Sequence, residues 1–281
     1  MKIKFWGTRG SIAAPGKDTA IYGGNTTCLE LTLESDRTVI VDAGTGIRRL
    51  GEQLQASEGP VDIHLLITHI HWDHVLGFPF FGPIYDPATN IVLDGYPTCM
   101  KGLRYTFDNK MGDGFFPVRF DELKATIDYR EEILNKSLDI DGTVIDTFPL
   151  NHPQGGFGYR FREGDKRLVF ITDNELNDSG NSSALRKKCI RFCEGADILI
   201  HDAQYTPTEI DGRRGWGHSD YLSAVDLGIK AGAGKLVLFH HDPTRKDSEV
   251  AAIKRACEDH ASKAGAKIEI LAAAEDTEMT L

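Results

Sequence analysis

The chain is poor in cysteine, and the cysteine it has is not arranged to staple a fold. Cys28, Cys99, Cys189, Cys193 and Cys257 are scattered and form no CxxC pair, which argues against a disulfide framework and suits a reducing compartment. Long hydrophobic runs are also missing. No window approaches 18 uninterrupted apolar residues, and the opening MKIKFWGTRGSIAAPG is not apolar enough for a signal sequence, so a soluble, cytoplasmic protein without a membrane partner is expected. There is no block of five or six like charges. With 42 acidic against 32 basic residues the formal net charge is −10, which disfavours long nucleic acid as a partner unless bound cations change the local field. The glycine-rich stretch 7–25, GTRGSIAAPGKDTAIYGGN, contains PGK but lacks GxxxxGK[ST], so a phosphate-binding P-loop is excluded. No repeat at a 20–50-residue period and no low-complexity linker is visible.

What remains has globular proportions. Of 281 residues, 41% are hydrophobic and 26% charged, enough for a substantial core, and one large domain over 1–281 is the expectation. Short β-branched runs at 2–6, 28–34, 38–42, 61–68, 90–94, 143–150, 157–161, 167–172, 197–202 and 235–240 predict strands, several apolar enough to be covered on both faces. Two helices are predicted. One follows Ser219 as N-cap, with Leu222, Val225 and Ile229 at helical spacing and AGAG as its stop. The other starts near Ser248, carries Val250, Ile253 and Cys257 on one face and ends before Gly265. The class is therefore α/β or α+β, with layered sheets. The stretches 7–25 and 101–130 have no clear periodicity and are candidate loops or lids.

The densest chemistry is THIHWDH at 68–74, directly after the apolar IHLLI, with three of the ten histidines in six positions. In an extended chain residues i and i+2 point the same way, so His69 and His71 can grip one cation while Ile70 turns away. Where the strand breaks, Asp73 and His74 can face a second. Imidazole and carboxylate suit zinc, iron or manganese. A single histidine at a strand end is commonly structural, but four potential ligands in six positions point to metal. Further candidates also end apolar strands: His152, Asp173, the pair His201 and Asp202, and the pair His240 and His241. Singly, each has an ordinary reading as a turn residue, helix cap or core histidine; jointly they do not.

With these residues in view, the chain resembles the metallo-β-lactamase superfamily. THIHWDH is similar to its HxHxDH signature, and Asp42, His152, Asp173 and His240 follow in that family's order over roughly residues 2 to 245. The resemblance implies a four-layer αββα sandwich and two divalent metal ions, most simply zinc, with manganese or iron as alternatives. It implies that His69, His71 and His152 hold one ion, that Asp73, His74 and His240 hold the other, and that Asp173 bridges them. Asp42 would support the site from behind the ligands. His240 rather than His241 is chosen by lining KLVLFHHDP up with the family's strand-end histidine.

LIHDAQYT, then GWGHSD, then LVLFHHDP resembles the ribonuclease Z-related phosphodiesterase branch. That likeness implies that His218 sits by the scissile phosphate and is oriented by Asp202, where the branch usually has Glu; His201 would be structural, and the ordinary reading of His218 is a helix-cap neighbour. The reaction implied is phosphodiester cleavage by a metal-bridging hydroxide, with catalytic roles for Asp73, His218 and Asp202. Ribonuclease Z itself usually inserts a tRNA-gripping arm between the residues matching His152 and Asp173. Only 20 residues lie between them here, so a small or cyclic phosphodiester is the expected substrate. Arg104, Phe116 and Arg119, with Tyr105, Phe107 and Phe115, could form a base-stacking lid; an aromatic minicore or a homodimer contact fits the same residues. The alternatives are a ribonuclease Z-like RNA 3′-end endonuclease, a thioesterase or lactamase-type hydrolase, and a non-catalytic metal-binding scaffold. An oxygen reductase would favour Glu where His71 stands.

Overall fold

The computed structural model describes residues 1–57, 59–134, 136–176 and 182–281. Alternating side chains on the strands explain its layers. In β12 (Lys235–Phe239), Val237 and Phe239 turn one way and Leu236 and Leu238 the other, and all four are buried. β10 (Lys166–Ile171) does the same with Leu168 and Phe170 against Val169 and Ile171, as does β11 (Ile198–Asp202) with Ile198 and Ile200 against Leu199. A strand apolar on both faces must be covered on both, which requires another layer on each side.

One sheet contains β1 (Lys2–Gly7), β2 (Cys28–Thr32), β3 (Thr38–Val41), β4 (Val61–Ile67), β5 (Thr89–Gly95), β6 (Thr126–Tyr129) and β14 (Glu278–Thr280), in the order β14-β1-β2-β3-β4-β5-β6. The other adds β7 (Leu138–Ile140), β8 (Thr143–Pro149), β9 (Phe157–Glu163) and β13 (Glu269–Ala272), in the order β13-β12-β11-β10-β9-β8-β7. A shared core of Phe5, Leu31, Val41, Leu66, Tyr159, Phe170 and Phe239 lies between them. Outside the first sheet, α1 (Ile47–Ala56) and α3 (Pro97–Lys110) cover Ile63, Leu65 and Ile67; outside the second, α4 (Ser182–Cys193), α5 (Tyr221–Ala231) and α6 (Asp247–Lys263) cover Val169, Leu199 and Leu236. The result is the αββα sandwich. No helix among the described residues is long and apolar enough to cross a membrane.

Parallel pairing sets where the strands end. β3 and β4 run parallel, as do β10, β11 and β12, with Ile171 opposite His201 and Asp202 opposite Phe239. Asp42, Thr68, Asp173, Asp202 and His240 therefore all leave carboxyl ends of strands along one rim, the usual place for a ligand crevice in open α/β sheets.

Several sequence expectations need correction. Asp220, not Ser219, caps α5: its carboxylate accepts from the Leu222 and Ser223 N–H groups. Ser219 is turned inward, donating to the Asn174 carbonyl and accepting from the Leu176 N–H. The last helix falls where expected, over Asp247–Lys263, and the Asp247 carboxylate accepts from the Ile21 and Tyr22 N–H groups. The 7–25 stretch is irregular but pinned, because fully buried Arg9 donates to the carbonyls of Gly23, Asp242 and Arg245. Helices also appear in the first half, and 101–130 holds most of α3 and the edge strand β6.

Candidate metal centre

THIHWDH breaks its strand by entering α2 (Trp72–Val75), a single turn that turns Asp73 and His74 back under the sheet edge. Two groups of donor atoms result, each with its members within 4.8 Å of one another: His69, His71 and His152 in one, and Asp73, His74, Asp173 and His240 in the other. Asp173 lies between them. Its Oδ1 is 3.7 Å from His69 Nε2 and 3.9 Å from His152 Nε2, and its Oδ2 is 3.3 Å from both His74 Nε2 and His240 Nε2.

The five imidazoles share one feature: the ring nitrogen facing away from the cluster is held by an acceptor. His74 Nδ1 donates to Asp42 Oδ2 at 2.7 Å, His152 Nδ1 to the Gly217 carbonyl at 3.1 Å, and His240 Nδ1 to Gln204 Oε1 at 3.0 Å. His71 Nε2 donates to Gln154 Oε1 at 3.2 Å, and His69 Nδ1 meets Thr68 Oγ1 at 3.1 Å, a hydroxyl that itself donates to Asp42. In each neutral ring the remaining nitrogen would then be the one that turns a lone pair inward to a cation. Two of these, His69 Nε2 and His74 Nε2, are buried without a hydrogen-bond partner, a costly arrangement for a polar atom unless something binds it. Inward lone pairs, two carboxylates and orphaned nitrogens fit two divalent cations, of which zinc is the simplest.

The electrostatics agree. Burial and the neighbouring histidines hold His69 well below the ordinary imidazole value, and burial brings His152 to about 4, so both stay in the neutral, ligating form. Burial alone would raise Asp73 and Asp173, but the surrounding histidines outweigh it and hold both well below the usual carboxylate range. His74, by contrast, is driven upward against burial by Asp73, Asp173 and Asp42; that excess of negative charge is what a cation would neutralise.

Beside the clusters, His218 Nδ1 donates to Asp202 Oδ2 at 2.9 Å, and the ring stacks on His240 with centroids 5.0 Å apart. Burial would lower His218, yet the charge and hydrogen bond of Asp202, with Asp173 and Asp73 further off, raise it to about 9. Asp202 is fixed by the N–H groups of Gln204 and Asn174. His241 turns away, its Nε2 donating to the Ala273 carbonyl, and His201 Nδ1 donates to the carbonyl of Asp202. Arg104 lies over the Tyr129 ring, Arg119 pairs with Asp121, and Phe116 packs on Phe80, while Phe107 stacks between Phe78 and Phe120; these partners belong to the α3 layer, not to the histidine clusters.

Four residues at the site carry no motif signal. Ser11 donates its backbone N–H to Asp73 Oδ2 at 2.7 Å, Gln204 and Gln154 orient His240 and His71, and Glu175 binds the backbone before His218. No local pattern marks them: Gln204 is buried two residues after Asp202, but Gln154, two residues after His152, is exposed. A cleft of about 310 Å³ opens beside His69 and His71, lined also by Tyr96, Pro153 and Gln154, at the small end of the range for ligand sites.

Comparison with known proteins finds the family described as the beta-lactamase superfamily domain over residues 37–241. The ribonuclease Z of Natronomonas pharaonis is 23% identical, with 92% of each chain aligned. Among solved structures, the metallo-beta-lactamase fold protein YhfI from Bacillus subtilis superposes with a TM-score of 0.70 at 16% identity, covering 99% of this chain and 98% of that one. A diphosphatase of the PhnP family gives 0.66 at 15% identity, covering 100% and 97%. At such identities the structural likeness is one of fold.

Proposed function

The chain belongs to the metallo-β-lactamase superfamily, and from that premise we propose that it is a dinuclear metal-dependent phosphodiesterase acting on small or cyclic phosphodiesters. The observation that carries the reading is the His218–Asp202 pair set against both donor clusters: His218 shares one 4.8 Å group with His152 and Asp173 and another with Asp202 and His240. Hydrolysis of a thioester or lactam on the same ligands does not call for that pair.

His69, His71 and His152 would hold one cation and Asp73, His74 and His240 the second, with Asp173 within reach of both groups. Bound there, the cations supply Lewis acidity and neutralise negative charge on the phosphoryl oxygens. The protein's own residues do the rest. Asp202 fixes the His218 ring through Nδ1, so Nε2 is the atom that hands a proton to the leaving alkoxide. Asp73, whose Oδ2 accepts from the Ser11 N–H, orients the attacking water. Asp42 keeps His74 in the ligating tautomer.

The ribonuclease Z relatives favour a second reading, cleavage at RNA 3′ ends. Against it stand the net charge of −10 and the short path from His152 to Asp173, which contains only a loop and the β9–β10 hairpin. The decisive experiment is metal analysis of the purified protein with parallel assays of bis(p-nitrophenyl) phosphate, cyclic mononucleotides, RNA ends, a thioester and a β-lactam. Phosphodiester turnover is expected, and His218→Ala should retain metal while losing roughly 10²–10⁴-fold in rate. Two bound metals with turnover only of the thioester or lactam would sink the proposal, and full activity in His218→Ala would sink the proton-donor role.

A further inference from the structure

His218 sits at the end of a turn that has little to hold it. Gly215 and Gly217 both have positive φ, +82° and +86°, and a Cβ on Gly217 would collide with the His152 ring. Gly215 and Gly217 therefore contribute no side chain to hold the turn, Trp216 between them is exposed, and glycine is the type that loses most entropy on being fixed. Its two inward N–H groups converge on a single side chain. Glu175 Oε2 accepts from Gly215 N at 2.8 Å and from Gly217 N at 3.1 Å, and Oε1 lies 3.1 Å from Gly215 N.

Glu175 is itself fixed. It is buried, its N–H donates to the Asn151 carbonyl at 2.9 Å, and its own carbonyl accepts from Asn151 Nδ2 at 2.7 Å. The preceding residue works on the other side of His218: the Asn174 carbonyl accepts from Ser219 Oγ at 2.6 Å, and the Asn174 N–H donates to Asp202. The segment that carries Asp173 thus grips the chain immediately before and immediately after His218. The other contact of Gly217, its carbonyl, accepts from His152 Nδ1, so the turn is shared between the proton donor and a metal ligand.

We propose that Glu175 is a positioning residue that sets His218 for reaction by clamping the Gly215–Gly217 turn; this rests on the reading of His218 as the proton donor. A carboxylate suits the task because it only accepts, and both turn groups only donate. Glutamine, of nearly the same shape, can keep its oxygen in the place of Oε2, but it removes the charge from both bonds and sets an NH₂ against the Gly215 N–H where Oε1 accepts at 3.1 Å, which loosens the turn. Misplacing a catalytic group by about 1 Å can cost 10²-fold in rate.

The test uses the full chain loaded with zinc. Glu175→Gln should keep two zinc ions and a cooperative melt, yet lose roughly 10–100-fold in kcat on bis(p-nitrophenyl) phosphate with KM changed by less than about 3-fold. In ¹⁵N-histidine spectra the hydrogen-bonded Nδ1–H of His218, identified by its absence in His218→Ala, should shift or broaden. Added to His218→Ala, Glu175→Gln should cost nothing further, since a residue acting through another has no effect once that one is gone. Glu175→Asp, which can still accept, should recover part of the loss and carries the test if the glutamine variant fails to fold. An unmoved His218 resonance with wild-type kcat, or an additional loss on top of His218→Ala, overturns the proposal. If the unaltered protein cleaves no phosphodiester, the functional reading falls, and the resonance alone decides whether Glu175 positions His218.

Discussion

Asp42→Asn isolates the tautomer argument on which the second donor group depends. Asp42 is fully buried and accepts from the Thr68 N–H at 2.8 Å, the Thr68 hydroxyl at 2.9 Å and His74 Nδ1 at 2.7 Å. Its backbone φ is +64°, a conformation asparagine tolerates, so the substitution adds no strain. Asparagine has one acceptor oxygen where aspartate has two, and its NH₂ must face either Thr68 or His74. The Thr68 N–H cannot stop being a donor, and leaving it buried and unpaired would cost about 1–3 kcal/mol. An imidazole can move its proton. The NH₂ therefore turns to His74, whose Nδ1 becomes the acceptor and whose proton moves to Nε2, 3.2 Å from Asp73 Oδ2 and 3.3 Å from Asp173 Oδ2. The metal-free protein, in which Asp42 is one of three carboxylates that raise His74, loses a charged partner and should melt lower by about 1–3 kcal/mol while still folding cooperatively. The inward lone pair is gone, however, and affinity for the second cation should fall roughly 10–100-fold, the usual loss when a partner behind a ligating histidine is removed. Chelator competition resolves two release steps, of which only one should move. Unchanged affinity at both steps, or a collapse of metal-free stability with affinity intact, would refute the reasoning.

Two further outcomes follow from the same geometry. His240→Ala should abolish binding at the second cation while His241→Ala leaves stoichiometry at two by metal analysis, because His241 Nε2 is spent on the Ala273 carbonyl. Away from the site, Asp146 on β8 sits between Arg160 and Arg162 of β9; burial would raise its carboxyl, but the Ser137 hydroxyl and the two guanidinium groups hold it below its ordinary value. A depressed carboxylate stabilises the fold above its unfolded pKa, and that contribution disappears as pH falls through the folded value. The melting advantage of the unaltered chain over Asp146→Asn should therefore be steady at neutral pH and close below about pH 4; an advantage independent of pH would remove the charge pairing as its cause.

The strands carrying the ligands were legible because each couples an apolar run to a polar residue that no core would take. IHLLI then THIHWDH, LVFI then TDN, and LVLF then HH each show a buried strand and its end. Helices were harder to read. α1 does carry Ile47, Leu50 and Leu54 at helical spacing, but its run is short and holds Gly51, while α3 starts with a proline and has Gly102 close to Ile70 within it, which blurs its period. Ser219 and Asp220 are both good caps and adjacent, and only the tertiary contacts of Ser219 decide between them. Apart from Asp42, which the family resemblance put behind the ligands, the residues that orient the ligands were not legible. Gln204 is 36 positions from His240, Ser11 is 62 from Asp73, and Glu175 is 40 from Gly215. Such contacts exist only once two sheets have packed, and nothing in the local pattern of either partner records them.

Backbone conformation explains why the ligands read as they do. Of the eight described non-glycine residues with positive φ, five belong to the site: Ser11, Asp42, Gln154, Asp173 and His240, at 64°, 64°, 69°, 50° and 59°. Each such residue costs on the order of 1 kcal/mol or more relative to glycine, less for aspartate than for histidine. A left-handed residue at a strand end swings its side chain off the pleat and into the crevice between the sheets, which a continuing strand could not do. At His240 the demand is sharpest, since Gly10 has to lack a side chain for the ring to lie where it does. Local preference would put glycine, asparagine or aspartate at these ends, and Asp36, Asp141 and Asp276 are left-handed away from the site, so the aspartates alone mark nothing. Histidine is the less common choice there, and at His240, where Gly10 must make room for the ring, residue type and neighbour together are what the metal centre leaves in the sequence.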